Sequence, residues 1–169
     1  WEWSAKDHIL HVLPLHHVHG IVNVLLSALY NGARVTFIDG KPSTDDIGDV
    51  FTHPSLGFTL FMAVPTIYSR LIRFHSTLTP ERRQQFEQTF HQMRLNVSGS
   101  AALPEPVFQT WRKITGHTLL ERYGMSETGM ILSQAYELNR RIKQATTVGE
   151  PLPTVEVKIV PLEAADGGD

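Results

Sequence analysis

The sequence predicts an α/β fold: a mostly parallel sheet flanked by helices. Two observations lead there. Short apolar, β-branched runs alternate along the chain with longer amphipathic segments. Glycine or proline stands at most of the junctions between them. Composition agrees, since 41% apolar and 19% charged residues over 169 positions suit an ordinary globular chain. A chain of this length buries about 70% of its unfolded surface in one core.

His8 to Pro14 (HILHVLP) reads as a short buried strand closed by proline. Leu15 to Gly20 is a histidine-bearing loop. Ile21 to Tyr30 is apolar almost all round, which predicts a buried helix stopped at Asn31-Gly32. Arg34 to Asp39 alternates and reads as a strand. Ser43 to Phe51 opens with Ser-Thr and then Asp45 and Asp46, residues suited to the positive end of a helix. Gly57 to Val64 is a further apolar strand, and Pro65 is well placed to start a helix over Thr66 to Phe74. Thr79-Pro80-Glu81 opens another helix, whose apolar face is Phe86 and Phe90. Leu95 to Val97 is a short strand. Pro104 to Ile114 carries Val107, Phe108, Trp111 and Ile114 on one side and stops at Gly116. His117 to Leu120 reads as another strand end, 137–144 as a mobile polar surface segment, and Val155 to Val160 as a last strand.

Several classes of function are disfavoured. A net charge of −2 offers no basic field for nucleic acid or an anionic membrane. There are no cysteines, hence no disulfides and no cysteine-ligated zinc. No apolar run reaches membrane-spanning length. The expected compartment is intracellular, either the cytoplasm or the mitochondrial matrix. Trp1 without a methionine and the polar, glycine-rich stretch Ala164 to Asp169 predict a segment excised from a longer protein.

The chemistry concentrates in Leu120 to Gly129, LERYGMSETG. Tyr123 can stack on a base, and Gly124 lets backbone approach closely. Ser126 can bond a phosphate oxygen, and Glu127 can hold the Mg²⁺ that accompanies ATP. The same string also suits a strand-to-helix turn with Ser126 as N-cap and Glu127 in the first turn. A serine-hydrolase elbow needs glycine two residues after the serine, where Thr128 stands. His16, His17 and His19 invite a metal reading, but neighbouring side chains are expected to point apart and no acidic partner follows nearby. Backbone-bonded loop histidines are the plainer alternative. Ser98-Gly99-Ser100-Ala101-Ala102 joins a strand to a helix with small residues, suited either to a flat ligand or to a tight turn. Arg94 and Arg34 each begin a strand, and arginine grips carboxylates bidentately. Arg122 could instead be a salt-bridge partner of Glu121. Val148-Gly149-Glu150-Pro151 reads as a turn into a strand.

YGMSETG, together with LPLHHVHG, AVPTIY, RLNVSGSAALP and TVGEPLP in this order, resembles the adenylate-forming superfamily of acyl-CoA synthetases. The wording of LPLHHVHG, RLNVSGSAALP and TGHTLLERYGMSETGM is closest to the malonyl-CoA synthetase branch. The resemblance runs from about Ile9 to Val160. It implies a segment of the large N-terminal, AMP-binding domain of an adenylate-forming enzyme. It further implies an acid–thiol ligase that uses ATP, Mg²⁺ and coenzyme A, with malonate or methylmalonate as the small carboxylic acid. By resemblance His17 sits at the reacting carboxylate, Ser126 at the α-phosphate and Glu127 on Mg²⁺. Ser100, Ala101, Glu121, Arg122, Tyr123, Gly124 and Met125 border the nucleotide. His19, Arg34, Arg94, Ser98, Gly99, Met125, Val148 and Gly149 border the acid, with Arg94 on its distal carboxylate.

The family's phosphate loop, its ribose-binding aspartate and its small C-terminal domain with a lysine have no counterpart in these 169 residues. The resemblance therefore implies an internal fragment that is inactive alone. Two alternatives stand beside this reading. One is a synthetase for another carboxylic acid; the other is a degenerate relative that binds a ligand without catalysis.

Overall fold

The computed structural model describes residues 1–136 and 147–160. Among them is one sheet of seven strands in the order β2-β1-β3-β4-β5-β6-β7. The strands are β1 (His8–His11), β2 (Arg34–Phe37), β3 (Leu60–Ala63), β4 (Leu95–Ser98), β5 (Leu120–Met125), β6 (Gly129–Ser133) and β7 (Glu150–Pro151). The pairs from β2 to β5 are parallel, and β5-β6-β7 are antiparallel. Every parallel strand therefore delivers its carboxyl end to the same edge, where ligands bind in open α/β sheets.

Alternation along the strands divides the core in two. Leu10, Phe61 and Ala63 face one side, where they meet α2 (Thr44–Phe51), α3 (Pro65–Thr77), α4 (Pro80–Gln92) and α5 (Glu105–Thr115). An aromatic lattice fills this layer. Phe51 meets Phe61 at 4.8 Å edge-on, and Trp111 meets Phe90 at 4.6 Å and Tyr68 at 4.8 Å. The Tyr68 hydroxyl donates to the Val97 carbonyl at 2.8 Å, so its polar end is satisfied in the core. Ile9, Leu60, Met62, Leu95, Val97 and Leu120 face the other side, toward Val24, Ala28 and the N-terminal tryptophans. Helix α1 is π-wound over His19–Leu26 and α-helical over Ser27–Tyr30.

The helix starts follow local chemistry. Ser43 and Asp46 form a reciprocal capping box at α2. Thr79 caps α4 ahead of Pro80. Gly116, at φ 74°, ends α5.

Two expectations change, and one is not reached. Helix α1 is not buried all round: Val24 and Ala28 pack on the sheet, while Val22, Leu26, Leu29 and Tyr30 are exposed. It lies on a face that it alone does not fill. The segment Val155 to Val160 is no strand, because its alternating residues find no partner strand among the described residues and Val157, Ile159 and Val160 stay exposed. Glu150–Pro151 pairs with β6 in its place. The predicted mobile segment 137–144 falls outside the described residues.

Candidate active site

The motif LERYGMSETG is a β-hairpin rather than a strand-to-helix turn. Strand β5 turns over Ser126, Glu127 and Thr128 into β6, with Tyr123 opposite Leu132 and Met125 opposite Gly129. The register shifts between Tyr123 and Gly124, a bulge that re-aims the side chains beyond it. A Cβ on Gly124 would collide with the Gly129 carbonyl, so this glycine serves strand-to-strand approach. Tyr123, Met125, Ser126 and Glu127 are exposed at the carboxyl edge of the sheet. Ser126 is therefore not a helix N-cap, and no histidine contacts it among the described residues, which removes the hydrolase geometry.

Glu121 and Arg122 cannot pair as neighbours, because successive strand residues point to opposite faces. The Glu121 carboxylate goes to the α5 side and accepts from Leu103 N–H at 3.4 Å. Burial pushes its pKa up, the Leu103 bond pulls it down, and the charge of Glu105 adds to the rise. Arg122 goes to the α1 side, is only 3% exposed, and has no carboxylate partner among the described residues. Burial pushes its pKa down to about 10. Its guanidinium rests against Gly99, where a Cβ would sit 2.6 Å from Nε and 2.9 Å from Cζ. Its Nη2 donates to Ser100 Oγ at 3.4 Å, and its Nε is buried without an acceptor.

His19, the first residue of α1, closes the cluster. Its Nδ1 lies 3.1 Å from Ser100 Oγ, and its Nε2 is buried without a partner. Burial, the charge of Arg122 and the nearby His11 push its pKa down to about 3, so the imidazole is neutral. The position is held from behind. His11 bonds the Gly20 carbonyl at 3.0 Å, and a Cβ on Gly20 would collide with the Pro14 carbonyl.

The other predicted residues sort by edge. His16 and His17 are exposed in the preceding turn with rings 4.3 Å apart, closer than neighbours were expected to lie. No group of three metal-ligating side chains exists among the described residues. Ser98 and Gly99 are buried at the end of β4, while Ser100 and Ala101 are exposed beside the hairpin. Val148 and Gly149 are half-buried beside β6, and a Cβ on Gly149 would collide with the Ser133 carbonyl. Gln134 ties this segment in, donating to Thr147 O at 2.7 Å while accepting from Glu121 N–H at 2.8 Å.

Arg34 and Arg94 stand at the amino edge, the far end of their parallel strands from the hairpin. Arg94 donates through Nε and Nη2 to Asp7, both at 2.8 Å, and through Nη1 to Trp1 O at 2.8 Å. The expectation that Arg94 or Arg34 grips a substrate carboxylate is thereby corrected. Arg94 is spent on Asp7, and both arginines lie at the wrong edge. Spacing could not have found the cluster at the carboxyl edge, since His19, Ser100 and Arg122 are far apart in sequence. The one local signal was Arg122 itself, a charge at a strand position whose neighbours of the same parity face the core.

Comparison with known proteins identifies relatives of the chain. The chain is 46% identical over 164 residues to the mitochondrial malonate–CoA ligase of Homo sapiens, covering 95% of this chain and 28% of that one. It is 43% identical to the malonate–CoA ligase of Arabidopsis thaliana, covering 94% of this chain and 27% of that one. A solved malonyl-CoA ligase, in ternary product complex with methylmalonyl-CoA and AMP, superposes with a TM-score of 0.76 at 36% identity. That match covers all of this chain and 34% of the solved one. The chain thus spans about a quarter to a third of the length of these proteins. A family model described as AMP-binding enzyme matches residues 1–167, and with the hairpin at the carboxyl edge of a parallel sheet the chain belongs to that family.

Proposed function

We propose that this chain is part of a ligase that activates malonate or methylmalonate with ATP and passes the acyl group to coenzyme A. The observation that carries the reading is Arg122, a buried cation with no carboxylate partner among the described residues, in a chain related to malonate–CoA ligases. A dicarboxylic acid supplies the missing anion. A charge-assisted bond of this kind contributes about 1.5–3 kcal/mol.

In the reaction one carboxylate oxygen of the acid attacks the α-phosphorus of ATP, and the bond to pyrophosphate breaks. The thiolate sulfur of coenzyme A then attacks the acyl carbon, and AMP leaves. The chain's part is positioning and charge. The distal carboxylate pairs with Arg122, with the neutral His19 beside it. The exposed Tyr123 ring stacks on adenine, Ser126 donates to the α-phosphate, and Ser100, Ala101 and Met125 line the passage between acid and nucleotide. His17 serves the reacting carboxylate from the turn before α1. Ser98, Gly99, Val148 and Gly149 form the walls. Glu127 makes no bond or ion pair with the described residues, and one free carboxylate beside phosphate oxygens suits Mg²⁺, whose charge would neutralise the phosphates. Of the two compartments that the sequence allows, the name of the human relative supports the mitochondrial one.

The test is kcat/KM for malonate and for propionate in the full-length ligase, wild type against Arg122→Ala and Arg122→Lys. Arg122→Ala should lower the malonate-to-propionate ratio by about 10–150-fold. Arg122→Lys should recover part of it, since an ammonium lacks the planar fork. Equal losses on both acids would remove the dicarboxylate assignment.

A further inference from the structure

We propose that Ser100 is a positioning residue whose hydroxyl sets the tautomer of His19 and the seat of Arg122 together, and whose backbone is held strained for that purpose. The inference rests on the reading of Arg122 as the cation that receives the acid's distal carboxylate.

Ser100 has φ 68°, in the left-handed region that favours glycine. Its neighbour Gly99 is glycine for a visible reason, since a side chain there would strike the Arg122 guanidinium. Glycine at position 100 would relieve the backbone as well. A serine in this conformation is disfavoured unless its side chain offsets the strain, and such outliers gather at functional sites.

The hydroxyl's bonds show what it does. A guanidinium has donors and no acceptor, so Ser100 Oγ accepts from Arg122 Nη2. The hydroxyl proton then needs an acceptor of its own, and His19 Nδ1 stands 3.1 Å away. His19 is neutral, because it is buried and lies within the field of Arg122. Ser100 therefore donates to Nδ1, and His19 carries its proton on Nε2. The opposite arrangement puts two donors on one hydroxyl oxygen and turns the hydroxyl proton out of the cluster.

The result is an ordered relay from Arg122 to Ser100 to His19. It leaves Arg122 Nε–H and His19 Nε2–H as buried donors without acceptors among the described residues. Such a cluster selects a ligand group whose oxygens only accept, as an ionised carboxylate does. Selectivity between dicarboxylic and monocarboxylic acids thus passes through Ser100, and backbone stability and selectivity oppose each other at this position.

The experiment uses the full-length ligase with Ser100→Ala, Ser100→Gly and Ser100→Thr. Three quantities are read: the unfolding midpoint, the malonate-to-propionate ratio of kcat/KM, and the ring-nitrogen NMR pattern of His19. The His19 signals are assigned by their loss in His19→Gln. Ser100→Ala and Ser100→Gly should each lower the ratio by about tenfold, as expected for one lost hydrogen bond beside a charge. Both should lose the Nε2–H pattern, which Ser100→Thr should keep. Ser100→Gly should unfold at a higher temperature than Ser100→Ala, because only glycine relaxes the backbone. An unchanged ratio in both Ala and Gly variants, or a proton on Nδ1 in the wild type, would overturn the proposal. If Arg122→Ala leaves the ratio unchanged, the dicarboxylate reading fails by itself, and the NMR pattern with the midpoint order still decides the relay.

Discussion

The two edges of the sheet hold the same chemical group in opposite states. At the amino edge Arg94 is closed on both sides by the Asp7 carboxylate and by backbone carbonyls, and Thr59 donates to the same carboxylate at 2.9 Å. At the carboxyl edge Arg122 is more deeply buried, and among the described residues its one hydrogen-bond partner is a hydroxyl. Burial works against the charge of Arg94, yet its bonds and its ion pair with Asp7 outweigh that and leave its pKa raised. Burial of Arg122 meets no such compensation. A satisfied buried charge ties elements together, whereas an unsatisfied one keeps its desolvation cost until a ligand arrives. What separates structure from function here is the accounting of partners, since both arginines sit in motifs that resemble the same family.

That contrast can be broken at either edge. Arg94→Ala should have the largest effect, a loss of about 3 kcal/mol of stability, because it strands an Asp7 carboxylate that is 3% exposed. Denaturant unfolding of the full-length ligase measures it, and the malonate-to-propionate ratio should not move. A shifted ratio at unchanged stability would exchange the roles of the two edges. Glu127→Gln should do the reverse. Adenylate formation should fall about 10²-fold, roughly 2.7 kcal/mol of barrier, while the unfolding midpoint stays put because the side chain is exposed. Near-normal rates with unchanged Mg²⁺ dependence would return Glu127 to a plain turn residue.

Acid should have a smaller effect, read through His19. His19 binds its proton near pH 6.5 when unfolded and only near pH 3 when folded. Between those values the unfolded state holds the extra proton, so stability falls as pH falls, by about 1.4 kcal/mol per pH unit for one group. His8 and His11, also lowered mainly by burial, act in the same direction. For Asp7, burial pushes the pKa up, but bonds from Arg94, Ser4 and Thr59 and the Arg94 charge outweigh it, leaving the value below 3.8. Its contribution is complete above that ordinary value and lost only as pH falls through the lower folded one. His8 stands at the amino edge opposite Arg34, so both edges lose stability in this range, and His19 adds its own share at the carboxyl edge. Unfolding midpoints between pH 7 and 2 should show a shallower acid decline in His19→Gln above pH 4, and an unaltered curve would place the acid sensitivity elsewhere.

Local pattern made the parallel part of the fold legible. Ser43 with Asp46, Thr79 before Pro80 and Gly116 each fixed a helix end, and apolar runs fixed β1, β3 and β4 to within a few residues. The hairpin was not legible, because Ser126-Glu127 suits a helix start as well as a turn, and only the bulge and the contact of Gly124 with Gly129 decide between them. Arg94 misled for a related reason. Its partner Asp7 lies far away in sequence, and no spacing rule joins them. The hairpin residues proposed to face the nucleotide stand together in one motif, while the His19–Ser100–Arg122 contact depends on the crossing of α1, β4 and β5.

The hairpin also bears on how such a site can diversify. Gly124 and Gly149 are locked by backbone against β6, and Arg122 by its seat on Gly99, but the turn Ser126 to Thr128 is exposed and contributes nothing to either core cluster. It behaves as a replaceable cassette mounted on a fixed frame. On the proposed reading, exchanging those three residues would alter the handling of the phosphates without disturbing Arg122, so the two halves of the specificity could be inherited, or engineered, one at a time.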